Sequence, residues 1–236
     1  RGFSLYSPTA GTSTLTFDVS SGNASINAGS TAQDNGGIIF DVNVALNDSL
    51  DAFVEKVYGG GRTGIIFNEI VSGTGAINKT GAGLMRFSGT AGSNTFSGGV
   101  NISDGTVYAD KNGALGTGTV SVAQSAVDTT AALEISTGVT DAISDSALLY
   151  LGSFGGTNFS TITLADGVNE TIAGLYFDNV LQAAGTWGAT GSGATFTNDD
   201  WFSGTGVLTV IPEPGTYAML FGLCALSYLA IKRRAM

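Results

Sequence analysis

The sequence predicts an all-β protein whose strands recur in coils, as in a β-solenoid, followed by one apolar helix at the C-terminus. Three observations lead to this fold class: the composition, the alternation of short apolar runs, and the spacing at which those runs recur. The chain has 36 glycines, 12% charged residues and 43% apolar residues. This apolar content is too high for a disordered chain. Many short strands joined by glycine turns account for both the glycine and the apolar content.

Short apolar runs separated by Gly, Asn, Asp and Ser fill residues 1–210, as in STLTFDV, GGIIFDVNVAL, GTVSVA and ALEIS. Their period-two alternation and their content of Val, Ile, Thr and Phe indicate β-strands. Two short stretches, Asp48–Val57 and Asp141–Leu149, could be helical instead. Neither is long enough to change the fold class.

The spacing of equivalent positions predicts coils of 20 to 26 residues. In GAGLMRFSG, Met85 and Phe87 share one strand face, and we expect that face to point into the core. The pairs that recur at this spacing are Met85 with Val107, Ile102 with Val122, and Val107 with Leu133. Such a recurrence is typical of a solenoid. A β-sandwich with 8 to 12 residues per strand remains the alternative.

One segment, Asn78–Val122, resembles the autotransporter-associated β-strand repeat. The positions that match its pattern are Lys79, Gly81, Gly83, Gly89, Asn94, Thr95, Phe96, Gly98, Gly99 and Gly105. Met85 and Arg86 depart from the usual Leu and Thr of that pattern without changing the alternation. Residues Gly174–Val210 are similar to the segment that often closes such repeats, and residues 1–74 have only a general likeness. The resemblance implies a right-handed parallel β-helix.

Four parts follow from these patterns. Residues 1–74 form an N-terminal strand-rich part, 75–126 the repeat region, 127–210 the C-terminal coils and cap, and 211–236 a sorting signal. A solenoid has an open apolar end that must be protected from edge-to-edge association. The bulky aromatic residues near the end of the coils could plug it or could be core of the last strands: Trp187, Phe196, Trp201 and Phe202.

The residue types present exclude several kinds of catalytic site. The chain has no histidine and a single cysteine, Cys224, within the C-terminal apolar run. A disulfide framework, a Cys/His zinc site and a Ser-His-Asp triad are therefore excluded. We expect a non-enzymatic protein that needs no cofactor.

Two alternatives to a non-enzymatic protein without a metal stay open. A β-helix carbohydrate-active enzyme, a polysaccharide lyase or glycosidase, could use Asp199 and Asp200 beside Trp201 as a sugar platform. However, Asn-Asp-Asp is a common turn composition. Calcium could bind turn carboxylates such as Asp104 and Asp166, although the nonapeptide repeat of calcium-binding β-rolls is absent.

Charge excludes nucleic acid as a partner. Residues 1–210 contain six basic and eighteen acidic residues, and no Lys or Arg occurs between Lys111 and Lys232. Such a surface repels a phosphate backbone.

The C-terminal segment IPEPGTYAMLFGLCALSYLAIKRRAM combines a Pro-Glu-Pro motif, an apolar run and a basic cluster. Residues Gly215–Ile231 are uncharged, and as a helix they would span roughly 25 Å, which is short but usable for a ~30 Å hydrocarbon core. Lys232, Arg233 and Arg234 would form a cytoplasmic basic stop. We therefore expect a transmembrane helix that leaves residues 1–210 outside the cytoplasm.

The same three-part order resembles the PEP-CTERM sorting signal of Gram-negative-type bacteria. That resemblance implies recognition and cleavage by exosortase, a membrane-embedded protease, with Pro212, Glu213 and Pro214 as the sorting and processing motif. The chain begins Arg1-Gly2-Phe3 without a Met or a signal segment, so we interpret it as a fragment. We expect a precursor held transiently in the inner membrane. The expected product is a cell-surface or secreted protein with a role in adhesion or biofilm and with extracellular polysaccharide or matrix as its partner.

Overall fold

The computed structural model describes residues 3–7, 9, 12–29, 37–55 and 64–212. Within these ranges the protein is all-β and contains no helix. Its 24 strands, in chain order, are β1 Phe3–Tyr6, β2 Thr14–Phe17, β3 Ala24–Ala28, β4 Ile38–Asp41, β5 Asn43–Leu46, β6 Leu50–Val54, β7 Gly64–Phe67, β8 Val71–Gly73, β9 Ile77–Thr80, β10 Leu84–Phe87, β11 Val100–Ile102, β12 Gly105–Ala109, β13 Val120–Ala123, β14 Ala131–Ile135, β15 Leu148–Phe154, β16 Asn158–Phe159, β17 Thr161–Leu164, β18 Asn169–Ile172, β19 Gly174–Phe177, β20 Val180–Leu181, β21 Gly185–Gly188, β22 Phe196–Thr197, β23 Phe202–Gly204 and β24 Val207–Val210.

The strands form four sheets of eight, nine, three and four strands. The eight-stranded sheet has the order β1-β4-β7-β10-β12-β14-β17-β23, and its ladders are parallel. The nine-stranded sheet runs β20-β19-β15-β13-β11-β9-β6-β3, with β16 paired to β15. The three-stranded sheet is β2-β5-β8, and the four-stranded sheet is β18-β24-β21-β22.

From β1 to β9 the chain visits the eight-, three- and nine-stranded sheets in turn, three times. After β8, residues outside strands extend the three-stranded sheet by backbone hydrogen bonds. The amide of Thr95 donates to the carbonyl of Val71 at 2.8 Å, and that of Thr117 donates to Phe96 at 2.9 Å. We call each visit of the chain to the three sheets in turn a pass. Successive passes therefore lie in register on three sides of one core.

The strand pairing confirms the predicted recurrence. Met85 pairs with Val107, Ile102 with Val122, and Val107 with Leu133. Parallel ladders need a long connection between partners, which the separation of 20 to 26 positions supplies. An antiparallel β-sandwich does not have such ladders, so that alternative is wrong for the described residues.

The core lies between the sheets and takes one face of each strand. The side chains of Met85 and Phe87 are fully buried, as predicted, while Leu84 and Arg86 face outward and are half-buried. Parallel stacking places Phe40, Phe67 and Phe87 at equivalent positions, with ring centroids 4.9 and 5.3 Å apart. In these three passes, each phenylalanine thus packs on that of the pass before it.

Neither stretch that the sequence left open as helical is a helix. Asp48–Val57 contains β6, because Leu50, Ala52 and Val54 alternate with exposed residues and so suit a sheet with one buried face. Residues 56 and 57 lie outside the described ranges. Asp141–Leu149 consists of turns that lead into β15 at Leu148.

Candidate functional site

The predicted processing motif begins where β24 ends. β24 pairs in parallel with β18 and antiparallel with β21. The amide of Ile211 donates to the carbonyl of Ile172 at 3.0 Å and extends the ladder by one residue. Pro212 has no amide hydrogen, so the ladder cannot continue through it. The motif is therefore attached directly to a paired strand, without a linker.

Pro212 is half-buried at the rim of a cavity of about 320 Å³. The lining residues are Ala173, Leu181, Gln182, Ala184, Val210, Ile211 and Pro212. The other predicted site residues, Glu213, Pro214, Lys232, Arg233 and Arg234, lie outside the described residues, as does the expected transmembrane segment Gly215–Ile231. Up to Pro212, the described chain has no helix long and apolar enough to cross a membrane.

The four predicted end aromatics gather at the C-terminal side of the sheets with two further rings, Phe159 and Phe177. Phe177 stacks on Trp201 at 5.1 Å and meets Trp187 edge to face at 5.3 Å. Trp187 stacks on Phe196 at 4.7 Å, and Phe202 is 1% exposed. We call these six residues the C-terminal aromatic cluster. Its members join the main hydrophobic core, and Phe202 lies on β23, the last strand of the eight-stranded sheet.

The Asp199–Asp200 pair is built into a turn. The Asp199 carboxylate accepts a hydrogen bond from the amide of Thr190 at 2.6 Å, and this bond lowers the pKa of Asp199. The amide of Asp200 donates to the side chain of Asn198 at 3.1 Å. A glycosidase acid needs a raised pKa instead. Trp201 is only 4% exposed, so it offers no surface platform for a sugar.

The proposed calcium ligands also serve turns. Asp104 Oδ1 accepts from the amides of Gly105 at 2.8 Å and Thr130 at 3.1 Å. Asp166 Oδ1 accepts from the hydroxyl of Thr205 at 3.2 Å. Within the described ranges, no group of three or more His, Cys, Asp or Glu residues is placed to hold a metal ion.

Lys79, a position that the predicted repeat pattern includes, is fully buried. Its ammonium donates to the carbonyl oxygens of Thr80, Gly81 and Asp104, which belong to two successive passes of the chain. Desolvation lowers the pKa of Lys79 to about 8, opposed by the Asp104 charge. The ammonium group of Lys111 also donates to backbone carbonyls, those of Glu69 and Gly92, both at 3.2 Å. These amino groups hold turns together.

Asn94, another position of the pattern, joins three passes. Its side-chain oxygen accepts from the amide of Val71 at 2.9 Å, and its side-chain nitrogen donates to the carbonyl of Ala114 at 2.6 Å. The residue is 2% exposed, and each bond replaces a backbone partner that the irregular segment lacks.

Glu170 is a buried acid that sequence reasoning missed. Its two carboxylate oxygens accept from the amides of Ala142 at 2.9 Å and Ile143 at 3.0 Å. Desolvation raises the pKa of Glu170 to about 7, and the charges of Asp141 and Asp145 raise it further, against those two bonds. The alternation of β18 contained the signal, since period two places Glu170 on the same face as the buried Ile172.

The buried charged groups Lys79, Lys111 and Glu170 thus make structural hydrogen bonds to the backbone. Comparison with curated proteins and with solved structures gave no match for the chain. Residues 210–234 match the PEP-CTERM protein-sorting motif, so the chain carries at the end of β24 a signal that marks an exported protein for sorting by exosortase.

Proposed function

We propose that this protein is an exported, non-enzymatic cell-surface or extracellular-matrix protein that exosortase sorts and cleaves at its C-terminus. The observation that carries the proposal is the sorting motif at residues 210–234, which starts on the last residue of β24. Pro212 ends the backbone pairing, and two prolines hold the motif extended. A protease cleft can receive such a segment, with Glu213 as its charged specificity element.

The tail positions that motif at the membrane. Gly215–Ile231 inserts as a helix, and Lys232, Arg233 and Arg234 keep its end cytoplasmic. The folded residues then lie on the outer side of the inner membrane, where cleavage releases them to the cell surface or the medium. The absence of Lys and Arg between Lys111 and Lys232 is compatible with this orientation.

The described sheets support a finer proposal for the fold, a right-handed β-solenoid whose residues 75–126 are an autotransporter-associated β-strand repeat. Support comes from the three-sheet order of β1 to β9 and from the parallel ladders every 20 to 26 residues. The repeat's polar positions also have roles that a repeat requires, because Lys79 and Asn94 bond to the passes above or below their own. We propose a role in adhesion or biofilm, with polysaccharide or matrix as partner, because an exported array of such repeats offers an extended surface for contacts.

Deletion of Pro212–Pro214 tests the sorting function. In cells that contain exosortase, we expect the deletion variant to remain as uncleaved precursor in the inner-membrane fraction, measured by fractionation and by the mass of the product. The control is the double variant Asp199→Ala/Asp200→Ala, which removes two carboxylates from the turn before β23 and should be exported like the wild type. The sorting proposal is wrong if the deletion variant reaches the medium normally. The same control protein also tests the alternative that the chain is a carbohydrate-active enzyme. We expect that neither the wild type nor Asp199→Ala/Asp200→Ala cleaves acidic or neutral glycans.

A further inference from the structure

Exposed aliphatic side chains cluster where the tail leaves the folded protein. Val180 is 64% exposed, Leu181 52% and Ile211 41%. Leu181 and Ile211 line the same cavity as Pro212, so the hairpin that carries Val180 and Leu181 lies beside the start of the motif. We call Leu181, Ile211 and Pro212 the exit patch, and Val180 is the next exposed residue of the same hairpin. Exposed aliphatic groups that adjoin one another mark contact surfaces more often than scattered ones do.

The exit patch sits on a rigid base. β19 and β20 form an antiparallel hairpin, with Asp178 and Asn179 in its turn at φ of 47° and 65°. Beneath the hairpin, Phe177 stacks on Trp201 of the C-terminal aromatic cluster. The exposed side chains are therefore held outward by a paired backbone.

The one acid of the hairpin points away from the tip. The Asp178 carboxylate accepts from the amide of Ser153 at 2.6 Å and from its hydroxyl at 2.7 Å. The tip thus presents Asn179, Val180 and Leu181. No Lys or Arg lies between Lys111 and Lys232, so an apolar contact, and not attraction to anionic groups, is what this surface offers.

The covalent chain limits how far the exit patch can be from the apolar tail. Only Glu213 and Pro214 separate Pro212 from Gly215, where the 17-residue uncharged run begins. Three residue steps span at most about 11 Å, even when fully extended. Whatever surrounds the start of the apolar run therefore also lies within reach of the patch.

We propose that the exit patch is a membrane-contact surface that rests in the interface of the lipid bilayer while the tail is inserted. This inference rests on the proposed insertion of Gly215–Ile231. Aliphatic side chains on a rigid edge gain by leaving water for the acyl-headgroup boundary. The contact would fix the orientation of the folded protein and hold Pro212–Pro214 at the depth at which a membrane-embedded protease acts. Since the patch has no basic residue, neutral phosphatidylcholine suffices.

Lipid-borne quenching tests the contact on the full chain. In a Cys224→Ala background, Leu181→Cys is labelled with an environment-sensitive fluorophore and reconstituted into phosphatidylcholine vesicles whose acyl chains carry a quencher just below the headgroup. The matched control is Phe53→Cys, where the native side chain is 42% exposed on the same sheet. β6 lies five strand spacings from β19, roughly 24 Å away. A third sample carries the label on native Cys224, attached in detergent, and reports insertion of the tail.

We expect at least twofold quenching at position 181, quenching at position 224, and none at position 53. Quenching at 224 without quenching at 181 would overturn the membrane contact and leave the proposed sorting function intact. If position 224 is not quenched, insertion of the tail fails, and the contact fails with it. Quenching at 181 that appears only after exosortase is added to the vesicles would also overturn the proposal, because the patch would then bind the protease.

Discussion

Lys79 and Glu170 are both fully buried, and each is held by hydrogen bonds to backbone groups. The ammonium of Lys79 faces carbonyl oxygens, and the carboxylate of Glu170 faces amides. In both cases desolvation opposes the charge, which lowers the pKa of Lys79 to about 8 and raises that of Glu170 to about 7. Buried charges of this kind are costly unless every polar atom finds a partner. Substituting them therefore tests whether successive passes depend on these bonds.

Lys79→Met should lower the free energy of unfolding by about 3 kcal/mol, because three hydrogen bonds from a charged donor are lost inside the protein. Arg86→Met is the matched control, on the next strand along the chain, β10. Arg86 is only half-buried, paired with Asp110 and placed over the Tyr108 ring. Its loss should cost about 1 kcal/mol or less. Urea unfolding of both variants measures the difference, and equal losses would contradict the role given to Lys79.

The raised pKa of Glu170 predicts that the free energy of unfolding depends on pH. Its pKa rises from 4.5 in the unfolded chain to about 7 in the folded protein, so the folded state binds more protons between these values. The free energy of unfolding should therefore fall as pH rises from about 4.5 to about 7, by up to ~3 kcal/mol. Asp141, whose pKa burial and Asp145 also raise, adds a change of the same sign.

Glu170→Gln removes the titrating group, so its free energy of unfolding should depend less on pH across this window. The amide retains one acceptor for two backbone donors, and we expect a loss of about 1 kcal/mol at pH 5. Asp128→Asn, which removes an exposed carboxylate in the turn after β13, should keep the wild-type slope. A slope in Glu170→Gln as steep as in the wild type would assign the pH dependence to other groups.

At the scale of strands, the sequence predicted the pairing well and the connections poorly. Equivalent apolar positions recur because parallel stacking repeats the same environment in each pass, so Met85, Val107 and Leu133 could be aligned by spacing alone. The third side of the core was not predicted. Much of it has no strand after β8, and its irregular segments are joined by single hydrogen bonds and by Asn94. Such contacts leave no periodicity in the sequence.

Only the part of the candidate site that depends on local sequence was predicted. Pro212 ends the backbone pairing that Ile211 continues from β24, as a proline after a strand suggests, and the three-part order of the tail indicated the sorting motif. The exit patch was not foreseen, because β20 comes next to Pro212 only through the pairing of β19 with β15 and of β18 with β24. A two-residue strand such as Val180–Leu181 carries no alternation that sequence reasoning can detect.

Two glycines with nearly equal φ angles allow the cost of a left-handed backbone to be distinguished from the cost of crowding between successive passes. Gly89 has φ of 84° and Gly138 has φ of 86°. An added Cβ at Gly89 would lie 2.1 Å from the carbonyl oxygen of Asn68 on the previous pass, while one at Gly138 would meet nothing within 4 Å. Gly138→Ala should cost about 1 kcal/mol for the left-handed conformation alone. Gly89→Ala should cost about 3 kcal/mol, because the passes must also move apart.

Thermal and urea unfolding of the two alanine variants make this comparison. Similar losses for both would mean that the passes can separate at Gly89 at little cost. That result would contradict the close register inferred from the parallel ladder of β7 and β10.

At the scale of the whole molecule, the two ends of the sheets differ. Among the described strands, β1, β2 and β3 each pair on one side only, with β4, β5 and β6. Beside them lies an apolar cavity of about 210 Å³, lined by Phe3, Leu5, Leu15, Phe17, Ile26, Ile38 and Phe40. At the other end, β20 and β21 pair antiparallel with β19 and β24. The C-terminal aromatic cluster fills the core there. Because no such cluster of described residues fills the cavity at the N-terminal end, that end should open more easily.

Native-state hydrogen exchange measures this asymmetry strand by strand. Where each pass contacts mainly its neighbours, local opening starts from the less stable end and proceeds inward. We expect the lowest opening free energies in β1–β3, higher values in β23 and β24, and the highest in the central strands β9–β14. Phe202→Ala should remove about 3 kcal/mol from the C-terminal end, as expected for deleting a buried ring.

In that variant, amides of β17 and β23 should lose most protection, because β23 carries residue 202 and pairs only with β17 among the described strands. Amides of β4 and β7, six and five strand positions from β23 in the same sheet, should change little. An equal loss of protection across all strands would show that the sheets open as one cooperative unit. The proposal that opening starts at one end and proceeds inward would then be wrong. A loss confined to the C-terminal strands would mean that the aromatic cluster stabilises the end that carries the sorting motif, so that the fold stays closed beside Pro212 while the tail is processed.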